Sequence, residues 1–216
     1  MIITIDGPAG SGKSTIAKLL ARRLSINYLN TGAMYRAVTL YLLEKHISID
    51  DEASIAEALN DLSIDFIDGN IYLNGKNVSE RIKELDVEKN VSKVSSLKSV
   101  REKMVFLQRI IGSKMDIVVE GRDTGTVVFP DADYKFYLDA SIEERAQRRY
   151  NELKAMGIKE LNLSLLQKEI EKRDFQDRNR KLSPLRIPAN ATVIDSTNLS
   201  IEDVVKKVIS YIESKS

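Results

Sequence analysis

Cysteine and tryptophan are absent from the 216 residues, and His46 is the one histidine. Without a thiol there is no disulfide, no cysteine nucleophile and no thiolate metal site. The absence also fits the cytoplasm, which is the expected location. Neither sign of charge is in excess: 33 Lys and Arg stand against 32 Asp and Glu, a net +1. A general nucleic-acid or membrane-surface binder would need a basic face. Phe and Tyr do not interleave with basic runs as a base-stacking platform requires, so neither nucleic acid nor membrane is an expected partner. No apolar run approaches the roughly 20 residues of a membrane helix, and the Gly-rich motif at Gly7 follows Met1 too closely to leave room for a signal peptide. Also missing is an Asn-Lys-x-Asp segment, with which guanine-specific nucleotide binders read their base.

What is present is a core-forming chain, 43% apolar. Its length suits one domain with a modest insert. "MIITID", "MDIVVEG", "YKFYLDA" and "ATVIDST" are short, apolar and rich in β-branched residues, so each reads as a buried strand. Helical patterns lie between them: "KSTIAKLLARRLS", "TGAMYRAVTLYLLEKH" with Thr31 as its expected cap, about 51–62, 85–96 and 99–113, "SIEERAQRRYNELKAM" capped by Ser141, a helix from Leu161 ended by Ser183-Pro184, and a C-terminal amphipathic helix. Buried strands alternating with helices indicate an α/β fold with a parallel sheet. Between them "SIDFIDGNIYLNGKNVS" alternates and is punctuated by the turn signals "DGN" and "NGK". It predicts a small three-stranded antiparallel sheet over 63–78, too small for a core of its own and so part of an insert.

"GPAGSGKST", Gly7 to Thr15, matches Gly-x-x-x-x-Gly-Lys-Ser directly between a buried strand and a helix. In that setting the N–H groups of Gly7, Pro8's neighbour Ala9, Gly10, Ser11, Gly12 and Thr15 can surround phosphate oxygens at a helix N-terminus. Lys13 would neutralise the outer phosphates and the Ser14 hydroxyl would bind Mg²⁺, the expected cofactor with ATP. The loop leaves the acceptor open. A small ATP-dependent phosphotransferase fits the length best; a nucleotide-dependent switch or nucleic-acid ATPase is the rival.

Acceptor candidates cluster around arginines. "TGAMYR" offers Thr31, Tyr35 and Arg36, and "EGRDTGTVVFPDA" sets Arg122 and Asp123 just beyond a parallel strand, where ligands of open α/β sheets bind. "KRDFQDRNR" puts Arg173, Asp177 and Arg180 on one helix face, and Arg145, Arg148 and Arg149 share a face of the preceding helix. By itself a stripe of this kind is more often a solvated surface with i,i+4 pairs.

Taken together and in this order, "GPAGSGKST", "LNTGAMYRA", "SVRE", "EGRDTGTVVFPDA" and "RDFQDRNR" resemble the bacterial cytidylate kinases, and the resemblance covers essentially the whole chain. It implies a P-loop kinase core over 1–30 and 115–216, an acceptor-nucleotide insert over 31–114 and a mobile lid region over about 150–180. It implies transfer of the γ-phosphoryl of ATP to CMP or dCMP. Nothing in the sequence suggests an obligate interface, so a monomer is the expectation. Arg36 and Arg122 match the arginines that hold the CMP phosphate and, with Lys13, would be the catalytic cations. Thr31, Arg101, Asp123 and Arg180 match residues around cytosine; Ser92, Arg173 and Asp177 match the sugar contacts. Arg148 would face ATP, and Gln176 stands where some members carry Arg.

The chemistry suits these residues. A nucleoside monophosphate has a second pKa of about 6 and is mostly dianionic at pH 7, so it needs no general base. His46 is accordingly expected at the surface. Catalysis then rests on alignment and on cations that offset phosphate repulsion, for which the planar arginine fork is well shaped. Asp123 could accept from the cytosine N4 amino group while Arg101 and Arg180 donate to N3 and O2. A closing lid, hinged at about 156–165 around Gly157, would keep water from the phosphoryl group.

Overall fold

A computed structural model describes residues 1–67 and 69–215, so Asp68 of the expected "DGN" turn lies outside the described residues. In chain order the elements are β1 (Ile2–Asp6), α1 (Lys13–Leu24), β2 (Asn27–Asn30), α2 (Thr31–Glu44), α3 (Glu52–Ala58), β3 (Ile64–Ile67), β4 (Asn70–Leu73), β5 (Lys76–Asn77), α4 (Leu85–Val94), α5 (Lys98–Gly112), β6 (Ile117–Gly121), β7 (Tyr134–Asp139), α6 (Ile142–Ala155), α7 (Leu163–Asn179), β8 (Thr192–Asp195) and α8 (Ile201–Lys215). The chain divides into two compact units, Met1–Leu29 with Met115–Ser216, and Asn30–Lys114.

The first unit is built on a sheet of order β2-β6-β1-β7-β8. β1 pairs in parallel with β6 on one side and β7 on the other, and β7 with β8. Every residue of β6 is buried, as a central parallel strand covered on both faces demands. Ile3, Ile5, Val118, Phe136, Leu138 and Ile194 meet Ile16, Ala17 and Leu20 of α1 and Val204, Val205 and Val208 of α8 in one core. β2 is a strand the sequence pattern gives no hint of: in "NYLN" only Leu29 is buried, so no alternation develops. The chain leaves β1 and β6, side by side, at their carboxyl ends, and both connections carry the residues of interest.

The second unit packs α2, α4 and α5 with the antiparallel sheet β3-β4-β5. Asn74 and Gly75 both take positive φ, 46° and 79°, which supplies the twist a tight hairpin needs. Helix α2 is capped one residue earlier than expected. Asn30, not Thr31, is the N-cap: its side chain accepts the Ala33 N–H at 2.9 Å, and Thr31 is the first helical residue. Asn is as good a cap as Thr, and only Asn30 lies three residues before that N–H.

Helix α7 also ends earlier than the Ser183-Pro184 signal suggests. It stops at Asn179, and Arg180 turns into extended backbone, φ −63° and ψ 143°. Its Nε donates to the Ser183 carbonyl at 2.5 Å, so the helix gives up its last turn to aim one side chain. Among the described residues, no helix is long and apolar enough to cross a membrane.

Candidate active site

The loop after β1 has the backbone its glycines permit. Gly7 sits at φ 151°, and a Cβ there would lie 2.0 Å from the Leu138 carbonyl oxygen, so no other residue fits. Gly12 precedes α1 at φ 91° and leaves the helix N-terminus open to a ligand. Lys13 is buried, and its Nζ donates to the Pro8 carbonyl at 2.6 Å and to Ser11 Oγ at 3.2 Å. Burial, with Arg122 beside it, pulls the Lys13 pKa down to about 7, although Glu120, Asp6 and Asp177 favour its charged form. Arg148 lies close by: a Cβ on Gly12 would be 3.8 Å from its Nη1, and its guanidinium donates to Glu144, to Ser196 Oγ and to the Ser196 carbonyl.

Ser14 Oγ donates to Glu120 at 2.8 Å. Glu120 is the last side chain of β6 before Gly121 and is 4% exposed. A hydroxyl beside a buried carboxylate is an all-oxygen donor pair that suits a hard divalent cation whose other ligands are phosphate oxygens and water. Glu120 is a site residue the sequence reading missed. An acid ending the apolar run "IVV" was the available signal.

A second missed acid, Asp6, ends β1 in the same way. It is fully buried and accepts from the Thr124 N–H and Oγ1, both at 2.8 Å, and from the Gly125 N–H at 2.7 Å. Burial pushes its pKa up to about 6 against those donors. Through them Asp6 ties the start of the phosphate loop to the turn after β6, a short π-helical segment over Thr124–Val128.

Just before that segment, Arg122 donates from Nε to Asp177 at 2.9 Å and from Nη1 to the Gly121 carbonyl at 3.3 Å, which fixes the plane of the guanidinium. Arg180 reaches both Asp123 and Asp177 at 3.7 Å. Burial raises the Asp177 carboxyl, but Arg122, Arg180 and Arg173 outweigh it and hold the pKa below the ordinary value. The opposite balance holds Arg122 above its own: burial lowers it, and Asp177 and Glu120 more than compensate.

Thus the Arg173–Arg180 stripe is no solvated face, because Asp177 is 7% exposed and shared by Arg122 and Arg180. Nor is Arg145 on α6. It is 5% exposed and paired with Asp174 of α7 at 2.6 Å. Helical spacing alone shows which residues share a face, not what packs on it. His46 is exposed at φ 55° just past α2.

Thr31, Arg36, Ser92 and Arg101 belong to the second unit. Thr31 is buried in the first turn of α2, and a Cβ on Gly32 would lie 3.6 Å from Arg36 Nη1, so that arginine folds back over the same turn. Arg101 is 3% exposed on α5, with its guanidinium 5.2 Å from the Tyr35 ring centroid and Nη1 donating to the Ser95 carbonyl at 3.1 Å. Ser92 lies on α4, half-buried.

Known proteins resemble this chain in sequence and in fold. The chain matches the cytidylate kinase family profile over residues 3–214. A cytidylate kinase of Fusobacterium nucleatum is 47% identical over 213 residues, spanning 99% of this chain and 97% of the relative. One from Caldanaerobacter subterraneus is 49% identical over 210 residues, spanning 97% and 93%. Among solved structures, shikimate kinase from Bacteroides thetaiotaomicron aligns at a TM-score of 0.52 and 11% identity over 99% of this chain and 98% of that one, a likeness of fold alone. The profile match and these relatives show that the chain belongs to the cytidylate kinase family.

Proposed function

We propose that the chain transfers the γ-phosphoryl group of ATP to CMP and dCMP, giving CDP or dCDP and ADP. The observation that carries this reading is the pairing of two connections at the carboxyl ends of adjacent strands. One is a phosphate loop with a buried lysine; the other bears an oriented arginine and an aspartate. The first suits a triphosphate and the second a phosphate and a base.

The Gly7–Thr15 N–H groups and Lys13 hold the donor phosphates, with Arg148 on the ATP side. The donor phosphates raise the pKa of Lys13, so it is cationic when it meets the transferring group. Ser14, with Glu120 behind it, would hold Mg²⁺, which would supply charge neutralisation for the donor phosphates. Arg36 and Arg122 hold the CMP phosphate. Asp177 tethers Arg122 at Nε and so leaves the far edge of the fork for phosphate oxygens. The acceptor oxygen is already anionic at neutral pH, so no side chain takes a proton.

Asp123, Arg180, Arg101 and Thr31 read cytosine; Arg173, Asp177 and Ser92 hold the sugar. The insert 31–114 carries acceptor residues, and the region 150–180 acts as a lid. Gly157, at φ 84° with open space around it, supports a hinge there. One chain supplies all these groups, which suits a monomer.

The test is ADP release with MgATP and, in turn, CMP, dCMP, UMP, AMP or no acceptor. Turnover with CMP and dCMP well above the rest is expected. A preference for another nucleotide would discard the base-reading residues, and equal ATP hydrolysis without acceptor would overturn the kinase reading.

A further inference from the structure

Helix α7 carries two buried carboxylates, Asp174 and Asp177, 6% and 7% exposed. Asp177 holds Arg122 of the acceptor side. Asp174 faces the phosphate loop instead, where it and Arg145 seize a single residue, Ala9. The Ala9 N–H donates to Asp174 Oδ1 at 3.3 Å, and the Ala9 carbonyl accepts from Arg145 Nη1 at 3.0 Å. The two side chains close the ring with their own ion pair at 2.6 Å, and Arg145 Nε is anchored on the Ala140 carbonyl at 3.0 Å.

Beneath the ring, Ala9 packs with Ala146 of α6 and Ile170 of α7. The neighbouring Gly10 lies so near that a Cβ on it would come within 3.2 Å of Arg145 Cβ and the Arg145 carbonyl oxygen. Both main-chain polar groups of one loop residue, the N–H and the carbonyl of Ala9, are therefore gripped by two helices.

A buried ion pair is a poor device for stability. Its desolvation cost often cancels its attraction, and apolar residues of similar size serve the core as well. What an apolar pair cannot do is hold the main-chain N–H and carbonyl of one residue at once.

We infer that Arg145 and Asp174 are positioning residues that join the donor loop to the acceptor residues of α7. The inference rests on the kinase reading above. When the loop is fixed around nucleotide phosphates, Ala9 fixes Asp174, and the rigid turn of α7 fixes Asp177 and with it Arg122. Each nucleotide then raises the affinity of the other by the same factor, as linkage requires.

The experiment measures CMP binding by calorimetry with and without a saturating non-hydrolysable ATP analogue and Mg²⁺. The proteins are the unaltered chain, Asp174→Asn, and the double variant Arg145→Met with Asp174→Leu. The double variant keeps an apolar filling, so the measurement stands if Asp174→Asn fails to fold.

The analogue is expected to tighten CMP binding by about fivefold or more in the unaltered chain, and the factor is expected to fall to near one in the variants. CMP affinity measured alone should change much less, a split that a general loss of folded protein would not produce. A coupling factor in the variants equal to that of the unaltered chain would overturn the inference, as would a factor of one in the unaltered chain itself. Turnover of CMP by the unaltered chain is assayed alongside. If that turnover is absent, the kinase reading fails; if it is present and coupling survives in the variants, only the present inference fails.

Discussion

The connection after β1 and the connection after β6 start from neighbouring strands and solve different problems. The first is shaped by its main chain, through the backbone angles of Gly7 and Gly12, with Lys13 and Ser14 as the side chains proposed to act there. The second relies on side chains, Arg122 and Asp123, and borrows their orientation from elsewhere: Asp6 of β1 holds the turn, and Asp177 of α7 and Arg180 just beyond that helix hold the charges. A main-chain cradle takes the phosphates of any nucleotide. A side-chain constellation selects one acceptor, and its geometry is only as good as the elements that support it.

The sharpest way to break this division is Lys13→Met. Loss of the Lys13 charge should lower kcat by about a thousandfold, with CMP and dCMP affected alike. A similar loss confined to one acceptor would mean that Lys13 serves the acceptor side. Arg122→Met should act on the other side. With a charged hydrogen bond to phosphate removed, kcat/KM for CMP should fall by about a hundredfold while the affinity for ATP stays within about twofold. Equal damage to ATP binding would show that the two connections are not separable.

Asp123→Ala should be milder and purely selective. The CMP-over-UMP ratio of kcat/KM should shrink by about tenfold, because uracil no longer sets its O4 against a carboxylate. An unchanged ratio would remove Asp123 from base reading.

The same contrast explains what could be read from the sequence. The main-chain cradle declares itself through glycine spacing, since only glycine takes φ 151° at position 7, and the apolar strands declare the sheet. Supporting side chains leave no such mark. Asp6 and Glu120 close runs that read simply as buried strands, and burial without a visible partner is what a pattern of apolar residues cannot convey. Arg145 and Asp174 sit on helices whose charge pattern suggests water; the phosphate loop and a neighbouring helix cover them instead. Arg180 defeated helical geometry altogether, because it is not in the helix. β2 had too few apolar residues to register, and the cap of α2 fell one residue before the better-known Thr.

The smallest expected signal is the most direct test of how the cradle works. Lys13 has a pKa of about 7 in the ligand-free protein, lowered chiefly by burial. At pH 8 it is therefore about nine-tenths neutral, whereas in the unfolded chain it would be protonated. The sign follows: the folded, ligand-free protein binds fewer protons than the unfolded chain between about pH 7 and 10, so this group's contribution to stability rises with pH across that range. Donor phosphates reverse the balance by favouring the ammonium form. MgATP binding at pH 8 should then take up nearly one proton, and at pH 6 almost none. The uptake is the slope of calorimetric binding enthalpy against buffer ionisation enthalpy, and Lys13→Met should flatten it. Arg122 is charged at both pH values, so CMP binding should show no comparable slope in this range from its arginines. An uptake at pH 8 that persists in Lys13→Met would assign the proton to another group, and the main-chain cradle would then hold its phosphates with a lysine that was charged all along.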